Sequence, residues 1–359
     1  MTSGPHPAGL HALDRHGDRD SAPGMVDFAV NVRGHAPDFV MRAIAATLPD
    51  LARYPSEQAA QDVRELIAEQ HGRTSAEVML LAGAADGFAA LPALGITHAA
   101  LLQPSFTEPE IVLRAAGVAI TQVLLDPSRP IDEQTATRIP AEADLVLIGN
   151  PTNPTSVLHP RAAIEAMRRP GRVIVVDEAF ADLTLDGQSG VTEPESMADT
   201  ADPDVVVIRS ITKTFGLAGL RAGYLLAAPE VVARLERGRR AWPLSSPALA
   251  ALGACASPAG QRFCHEQAHQ VATERTQMLA RLADIGITPC APPAAPFVLI
   301  EIPNAFVIKE SLRRHHLAVR SCANFVGLGD DHVRLAVRAA PQVDQLIAAL
   351  EWARKENIQ

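Results

Sequence analysis

The stretch Val205-Val206-Val207-Ile208-Arg209-Ser210-Ile211-Thr212-Lys213-Thr214-Phe215-Gly216-Leu217-Ala218-Gly219-Leu220-Arg221 runs from four apolar residues into two hydroxyls, a lysine and, eight positions on, an arginine. Four consecutive β-branched residues fit a strand buried on both faces, as in the interior of a mainly parallel sheet. Lys213 then stands just past the carboxyl end of that strand. In open α/β sheets ligands bind beyond such ends. A lysine in an arbitrary loop is usually only solvated, but here its surroundings make it a candidate for chemistry.

Working outward, short apolar runs recur at Val78–Ala82, Ala99–Gln103, Leu145–Gly149, Val173–Val176 and Tyr224–Ala227, while Arg42–Leu51 and Gln58–His71 have helical spacing. Runs of this length separated by helical stretches predict a doubly wound α/β sheet. Each hands over at its carboxyl end to polar or conformationally special residues: Gly83-Ala84-Ala85-Asp86, Pro104-Ser105-Phe106, Asn150-Pro151-Thr152-Asn153-Pro154 and Asp177-Glu178-Ala179-Phe180. With Lys213 that makes five strand ends directed at one site. After about residue 240 the pattern changes. Pro243 and the alanine-rich stretch to Ala256 read as a linking helix, and the rest as a smaller α+β part. The expected division is a large domain over 45–240 and a small one built from 1–44 and 241–359. Residues 1–24, rich in Gly, Pro, His and Asp, are expected to form a loosely docked arm.

Composition sets outer bounds. At 359 residues, 47% hydrophobic and 20% charged, the chain has room for about two globular domains. A net charge of -9 disfavours nucleic acid and anionic membrane surfaces as partners, so an anionic ligand must meet a local arginine cluster. No run of about 18 uncharged apolar residues is present. The first residues, through His16, have neither a basic nor an apolar signal region, so a cytoplasmic location is expected. Cys255, Cys264, Cys290 and Cys322 lack metal-ligand spacing and are expected to be packing thiols; no metal site is expected.

Three further segments carry chemistry. Asp177 follows Val173-Ile174-Val175-Val176, so its carboxylate emerges at a buried strand end; such residues often merely cap a helix. Asn153 lies in a turn fixed by two prolines. Gly83-Ala84-Ala85-Asp86 opens a helix after a strand, where unbonded N–H groups favour an anion. Together with Ser210–Arg221 these resemble the class I and II aminotransferases, enzymes of the aspartate-aminotransferase-like fold type I. The resemblance implies pyridoxal 5′-phosphate as cofactor, held as a Schiff base on Lys213. It implies Ser210, Thr212, Arg221 and the backbone of Ala84 and Ala85 as phosphate ligands, with Gly83 permitting close approach. Asp177 would face the pyridine nitrogen, Asn153 the 3′-oxygen, and Phe106 the ring face, a core phenylalanine being the rival reading for the last. Tyr54, in Arg53-Tyr54-Pro55, would reach the phosphate in a neighbouring subunit's site, which implies a homodimer.

Two branches of the superfamily compete. His16-Gly17-Asp18, Asp27-Phe28-Ala29-Val30-Asn31, Phe180 in place of a common tyrosine, and Val319-Arg320-Ser321-Cys322-Ala323-Asn324-Phe325 with Arg334 and Arg338 resemble the threonine-phosphate decarboxylases. This favours decarboxylation of a small phosphorylated amino acid, with aminotransferases of the histidinol-phosphate type as the alternative. Arg320 would meet the substrate phosphate and Arg334 the α-carboxylate, Arg338 sharing either role, with His16, Asn31 and Asn153 as further contacts. Pro109 departs from the tyrosine usual in both branches, which leaves the side-chain contacts there open.

Overall fold

Side-chain alternation along the strands builds the larger part of the molecule. The computed structural model describes Leu13 and residues 17–356. Its strands in chain order are β1 (Val26–Asp27), β2 (Val78–Leu81), β3 (His98–Gln103), β4 (Ala119–Leu124), β5 (Leu145–Gly149), β6 (Val173–Asp177), β7 (Val205–Ser210), β8 (Gly223–Leu226), β9 (Phe297–Glu301), β10 (Leu317–Ala318), β11 (Arg320–Ser321) and β12 (His332–Ala336). Seven of them form a sheet in the order β2-β8-β7-β6-β5-β3-β4. All neighbours are parallel except at β8, which runs antiparallel to both β2 and β7. Val78, Leu80, Val146, Ile148, Val205 and Val207 pack into one apolar cluster. Their chain neighbours Met79, Leu81, Leu145, Leu147, Val206 and Ile208 pack into another on the opposite face. The two-residue period of a strand forces this division, and coverage of both faces is why these segments read as unbroken apolar runs.

The edge strand β4 has no such run. Thr121 and Gln122 interrupt it and Ala119 and Leu124 are exposed, so its pattern does not announce a strand. The helix expected at Arg42–Leu51 spans Asp38–Ala46 instead and is followed by a 3-10 turn at Leu48–Asp50. Pro37 in extended conformation starts it early, and Pro49 cannot donate the hydrogen bond that would carry it on. The helix Glu57–Gln70 lies where the spacing predicts it, capped by Ser56, whose Oγ accepts from the Ala59 N–H at 3.3 Å. The alanine-rich helix Ser246–Ala256 ends at Ser257, which caps a separate 27-residue helix, Pro258–Asp284. Val40, Leu244, Leu249 and Leu252 share the core of the large sheet although they fall outside 45–240.

A second, antiparallel sheet has the order β11-β12-β9. It packs around Val298, Ile300, Val333 and Leu335 with Phe28, Met278 and the closing helix Ala340–Glu356. β1 pairs in parallel with β10, setting Val26 opposite Leu317, so the N-terminal segment is tied to the C-terminal part. Within the arm expected to be loose, Leu13 is buried, its carbonyl accepts from Thr107 Oγ1 at 2.8 Å, and the Asp20 side chain is buried, while Arg19 and residues 22–24 are exposed. No helix among the described residues is long and apolar enough to cross a membrane.

Candidate active site

β5, β6 and β7 end side by side, and their carboxyl ends open on a cavity of about 510 Å³. Asp177, the last residue of β6, sits between Gly149 of β5 and Ile208 of β7. Burial raises its carboxyl to about 6, against the opposing pull of the Ala179 N–H, 3.1 Å from Oδ1, and of the Lys213 charge. Lys213 lies in the turn after β7 with its amine 5.9 Å from the centre of the Phe180 ring. Its backbone carbonyl accepts from the Arg33 N–H at 3.3 Å. Phe180 is braced edge-on by Phe297 at 5.0 Å, and Phe106 lines the cavity with its ring 6.3 Å from that of Phe88.

At one end of the cavity the hydroxyls of Ser210 and Thr212 are 2.8 Å apart. Arg221 closes a 3-10 turn at φ 56, ψ 69, a left-handed conformation uncommon for a residue with a side chain. Its guanidinium lies flat over Gly83: a Cβ there would stand 3.0 Å from Nη2, and Gly83 itself has φ 84. Gly83 thus makes room for Arg221 without forming a cavity wall. Ala84 and Ala85 open the helix Ala84–Ala90 and line the same end. Two hydroxyls, a guanidinium and first-turn N–H groups form an anion cradle, and a protonatable acid and an amine follow deeper in. This donor set fits pyridoxal 5′-phosphate.

The other end is built by β11 and β12, which set Arg320 directly opposite Arg334. The two residues are 3% and 6% exposed. Arg334 donates through Nη1 to Asn153 Oδ1 at 2.5 Å and through Nη2 to the Ala29 carbonyl at 2.7 Å, while its Nε has no hydrogen-bond partner. Burial, with the Arg320 charge adding to it, lowers Arg334 to about 10. Arg320 donates to Asn324 Oδ1 at 2.8 Å and lies 5.4 Å from the Phe325 ring centre. Asn31 is 4% exposed and lines the cavity with neither side-chain polar atom hydrogen-bonded. Like charges facing each other across a strand pair repel, and burial compounds the penalty. The arrangement is suited to an anion that bridges them.

Three expected contacts stand apart. Arg338 is not in the cavity. Its guanidinium donates to the carbonyls of Asp27 at 2.8 Å, Val30 at 2.6 Å and Val337 at 3.1 Å, which commits it to holding the N-terminal segment and removes it from the substrate set. Tyr54 is 75% exposed, outside the cavity of its own chain, and stacks on Trp242 at 4.2 Å. His16 lies outside the described residues. The cavity also takes in Val32, Phe88, Thr107 and Glu108, which no motif singled out. The four cysteines form no disulfide, and burial pushes the Cys290 and Cys322 thiols up to about 11 and about 12. Among the described residues no group of three or more His, Cys, Asp or Glu could hold a metal ion.

Comparison with known proteins agrees with this geometry. The model of the family "Aminotransferase class I and II" matches residues 23–351. A histidinol-phosphate aminotransferase of Mycobacterium tuberculosis is 46% identical over 348 residues, covering 96% of this chain and 92% of that protein. A threonine-phosphate decarboxylase of Salmonella typhimurium is 27% identical over 345 residues, covering 91% and 90%. Among solved structures, the histidinol-phosphate aminotransferase from Clostridium acetobutylicum superposes with a TM-score of 0.83 at 24% identity, covering 92% of this chain and 100% of that one. The protein is a pyridoxal-5′-phosphate-dependent enzyme of the α/β, aspartate-aminotransferase-like fold, and it belongs to the aminotransferase class I and II family.

Proposed function

We propose that the enzyme is an aminotransferase of the histidinol-phosphate type, which moves an amino group between a small phosphorylated amine and 2-oxoglutarate. The observation that carries this is the buried Arg320–Arg334 pair facing Lys213 across one cavity. A pocket that alternately takes a phosphoester and a dicarboxylate needs two cationic anchors, and guanidinium groups bind both anions in a forked geometry. The order of the two branches is thereby reversed from the sequence expectation: relatives named for transamination reach 46% identity, against 27% for the decarboxylase of Salmonella. Two observations still favour decarboxylation as a second reading. Phe180 brings no hydroxyl to the lysine end, and Arg320-Ser321-Cys322-Ala323-Asn324 resembles the decarboxylase segment.

Bound pyridoxal phosphate supplies an aldehyde that captures the substrate amine and a protonated ring that withdraws electrons from Cα. Ser210, Thr212, Arg221 and the N–H groups of Ala84 and Ala85 bind its phosphate. Asp177 would be kept ionised by the cofactor's ring nitrogen, and Asn153 would donate to its 3′-oxygen while its own oxygen holds Arg334. Phe106 would cover a face of the cofactor ring, and Phe180 narrows the lysine end. Lys213, released when the substrate amine takes its place, would serve as general base at the substrate Cα and then as the acid that gives the proton back. Arg334, fixed by Asn153 and Ala29, holds an α-carboxylate where the substrate has one. Arg320, with Asn31 beside it, takes the phosphate or the distal carboxylate. The two arginines would orient the substrate and so select whether its Cα loses a proton, as in transamination, or a carboxylate as CO2.

We extend the proposal to a cytoplasmic homodimer in which exposed Tyr54 serves the other subunit's phosphate site. The deciding experiment incubates holoenzyme with histidinol phosphate plus 2-oxoglutarate and, separately, with threonine phosphate. Glutamate from the first without CO2 from the second is the expected result. CO2 from threonine phosphate with no glutamate from the first mixture overturns it.

A further inference from the structure

Arg320 does not face the cavity alone. Asp20 ends the 3-10 turn Gly17–Asp20, and its carboxylate reaches between two cations. Oδ1 is 2.6 Å from Lys309 Nζ, and Oδ2 is 3.6 Å from Arg320 Nη1. The three side chains are 3%, 11% and 4% exposed, in the order Asp20, Lys309, Arg320. They come from the N-terminal turn, from the helix Ala305–Arg314 and from β11. The turn is seated closely: a Cβ on Gly17 would stand 2.6 Å from the Ala29 carbonyl oxygen and 3.6 Å from Arg320 Cδ.

The two distances divide the work. At 2.6 Å Asp20 and Lys309 make a full charge-assisted hydrogen bond, whereas 3.6 Å to Arg320 is beyond hydrogen-bond length and leaves a coulombic contact. Asn324 and Phe325 also orient the Arg320 guanidinium. The effect of Asp20 on Arg320 is therefore mainly one of charge. Any anion that docks on Arg320 meets Asp20 as a like charge a few ångströms away in a desolvated setting, and a dianion meets twice the repulsion of a monoanion. Lys309 moderates that repulsion, and Arg334, opposite Arg320, adds attraction for either anion.

We propose that Asp20, held by Lys309, is a positioning residue that sets the effective charge of Arg320 and so determines how the site weighs a phosphate dianion against a carboxylate. The inference rests on the substrate role given to Arg320 above. For an enzyme that admits a phosphoester and a dicarboxylate in turn, such a counter-charge keeps phosphate from occupying the pocket at the expense of the second substrate.

The test uses the holoenzyme, whose cofactor fills its own phosphate cradle, with inorganic phosphate as probe. Phosphate affinity is measured by competition and by titration of the cofactor absorbance, alongside KM for histidinol phosphate and for 2-oxoglutarate. Asp20→Asn is expected to tighten phosphate about three- to tenfold, the scale of a partly screened like charge at this range, and to lower KM for the phosphoester more than KM for 2-oxoglutarate. Lys309→Met, which removes the cation that offsets the Asp20 charge beside Arg320, is expected to shift all three the other way. A structural role would weaken both variants together. Shifts of the same sign, an unchanged phosphate affinity, or phosphate binding that survives Arg320→Met each overturn the proposal. Should the wild type fail to transaminate histidinol phosphate, the parent proposal falls, while the phosphate affinities still decide the role of Asp20.

Discussion

Replacing Asp177 by asparagine keeps the shape of the side chain and removes its ionisation, and the structure sets the size of the effect. Burial lifts the carboxyl from 3.8 to about 6. The folded chain therefore holds that proton more tightly than the unfolded chain does. Its contribution to stability is fully present below about pH 4 and is lost as the pH rises through about 6. A shift of about two pH units corresponds to about 3 kcal/mol, reduced towards about 2 kcal/mol by the face the carboxylate turns to the cavity. Urea denaturation of cofactor-free wild type and Asp177→Asn between pH 4 and 7.5 measures this directly. The wild type is expected to lose about 2–3 kcal/mol relative to the variant across that window. Pyridoxal phosphate should reverse the order, since a cationic ring nitrogen opposite Asp177 stabilises its charged form. Stability curves that stay parallel from pH 4 to 7.5 would refute the burial argument, and equal stabilisation of both proteins by the cofactor would refute the pairing.

Other expectations follow from individual contacts. Arg338→Met strips donors from the carbonyls of Asp27 and Val30 and should lower stability in urea by about 2–4 kcal/mol, with the kcat of folded enzyme near wild type because the side chain lies outside the cavity. Gly83→Ala puts a methyl against Arg221 at a positive φ and should weaken cofactor retention on dialysis about tenfold. Lys213→Ala should abolish the borohydride-sensitive visible absorbance of the holoenzyme without loss of fold. Mixing Tyr54→Ala with Lys213→Ala, each inactive alone, should restore about a quarter of wild-type activity if Tyr54 serves the other subunit of a two-fold dimer; no recovery would sever Tyr54 from the shared site.

How far the sequence speaks depends on whether a residue's neighbours lie in its own segment. Strands β2, β3, β5, β6, β7 and β8 were legible because burial on both faces demands apolar residues at every position, and β4 was not, because an edge strand escapes that demand. That Lys213, Asp177, Asn153 and Arg221 line one cavity was likewise expected, since each follows directly from its strand, turn or motif. The limits appear where long-range partners decide. Arg334 and Arg338 stand four residues apart with the same charge, yet one faces the cavity beside Arg320 while the other is spent on backbone carbonyls of a segment some 300 positions earlier.

The sheet could be read from the chain because strand burial is a local pattern, and the cofactor and family followed from the resemblance that the lysine segment carries. Only the tertiary structure decided which arginines share a pocket, that the turn at Gly17–Asp20 is docked, and that Asp20 stands between Lys309 and Arg320. The physical reason is that coulombic and hydrogen-bond partners are chosen by distance in space, and separations of 289 and 300 residues leave no periodicity to read.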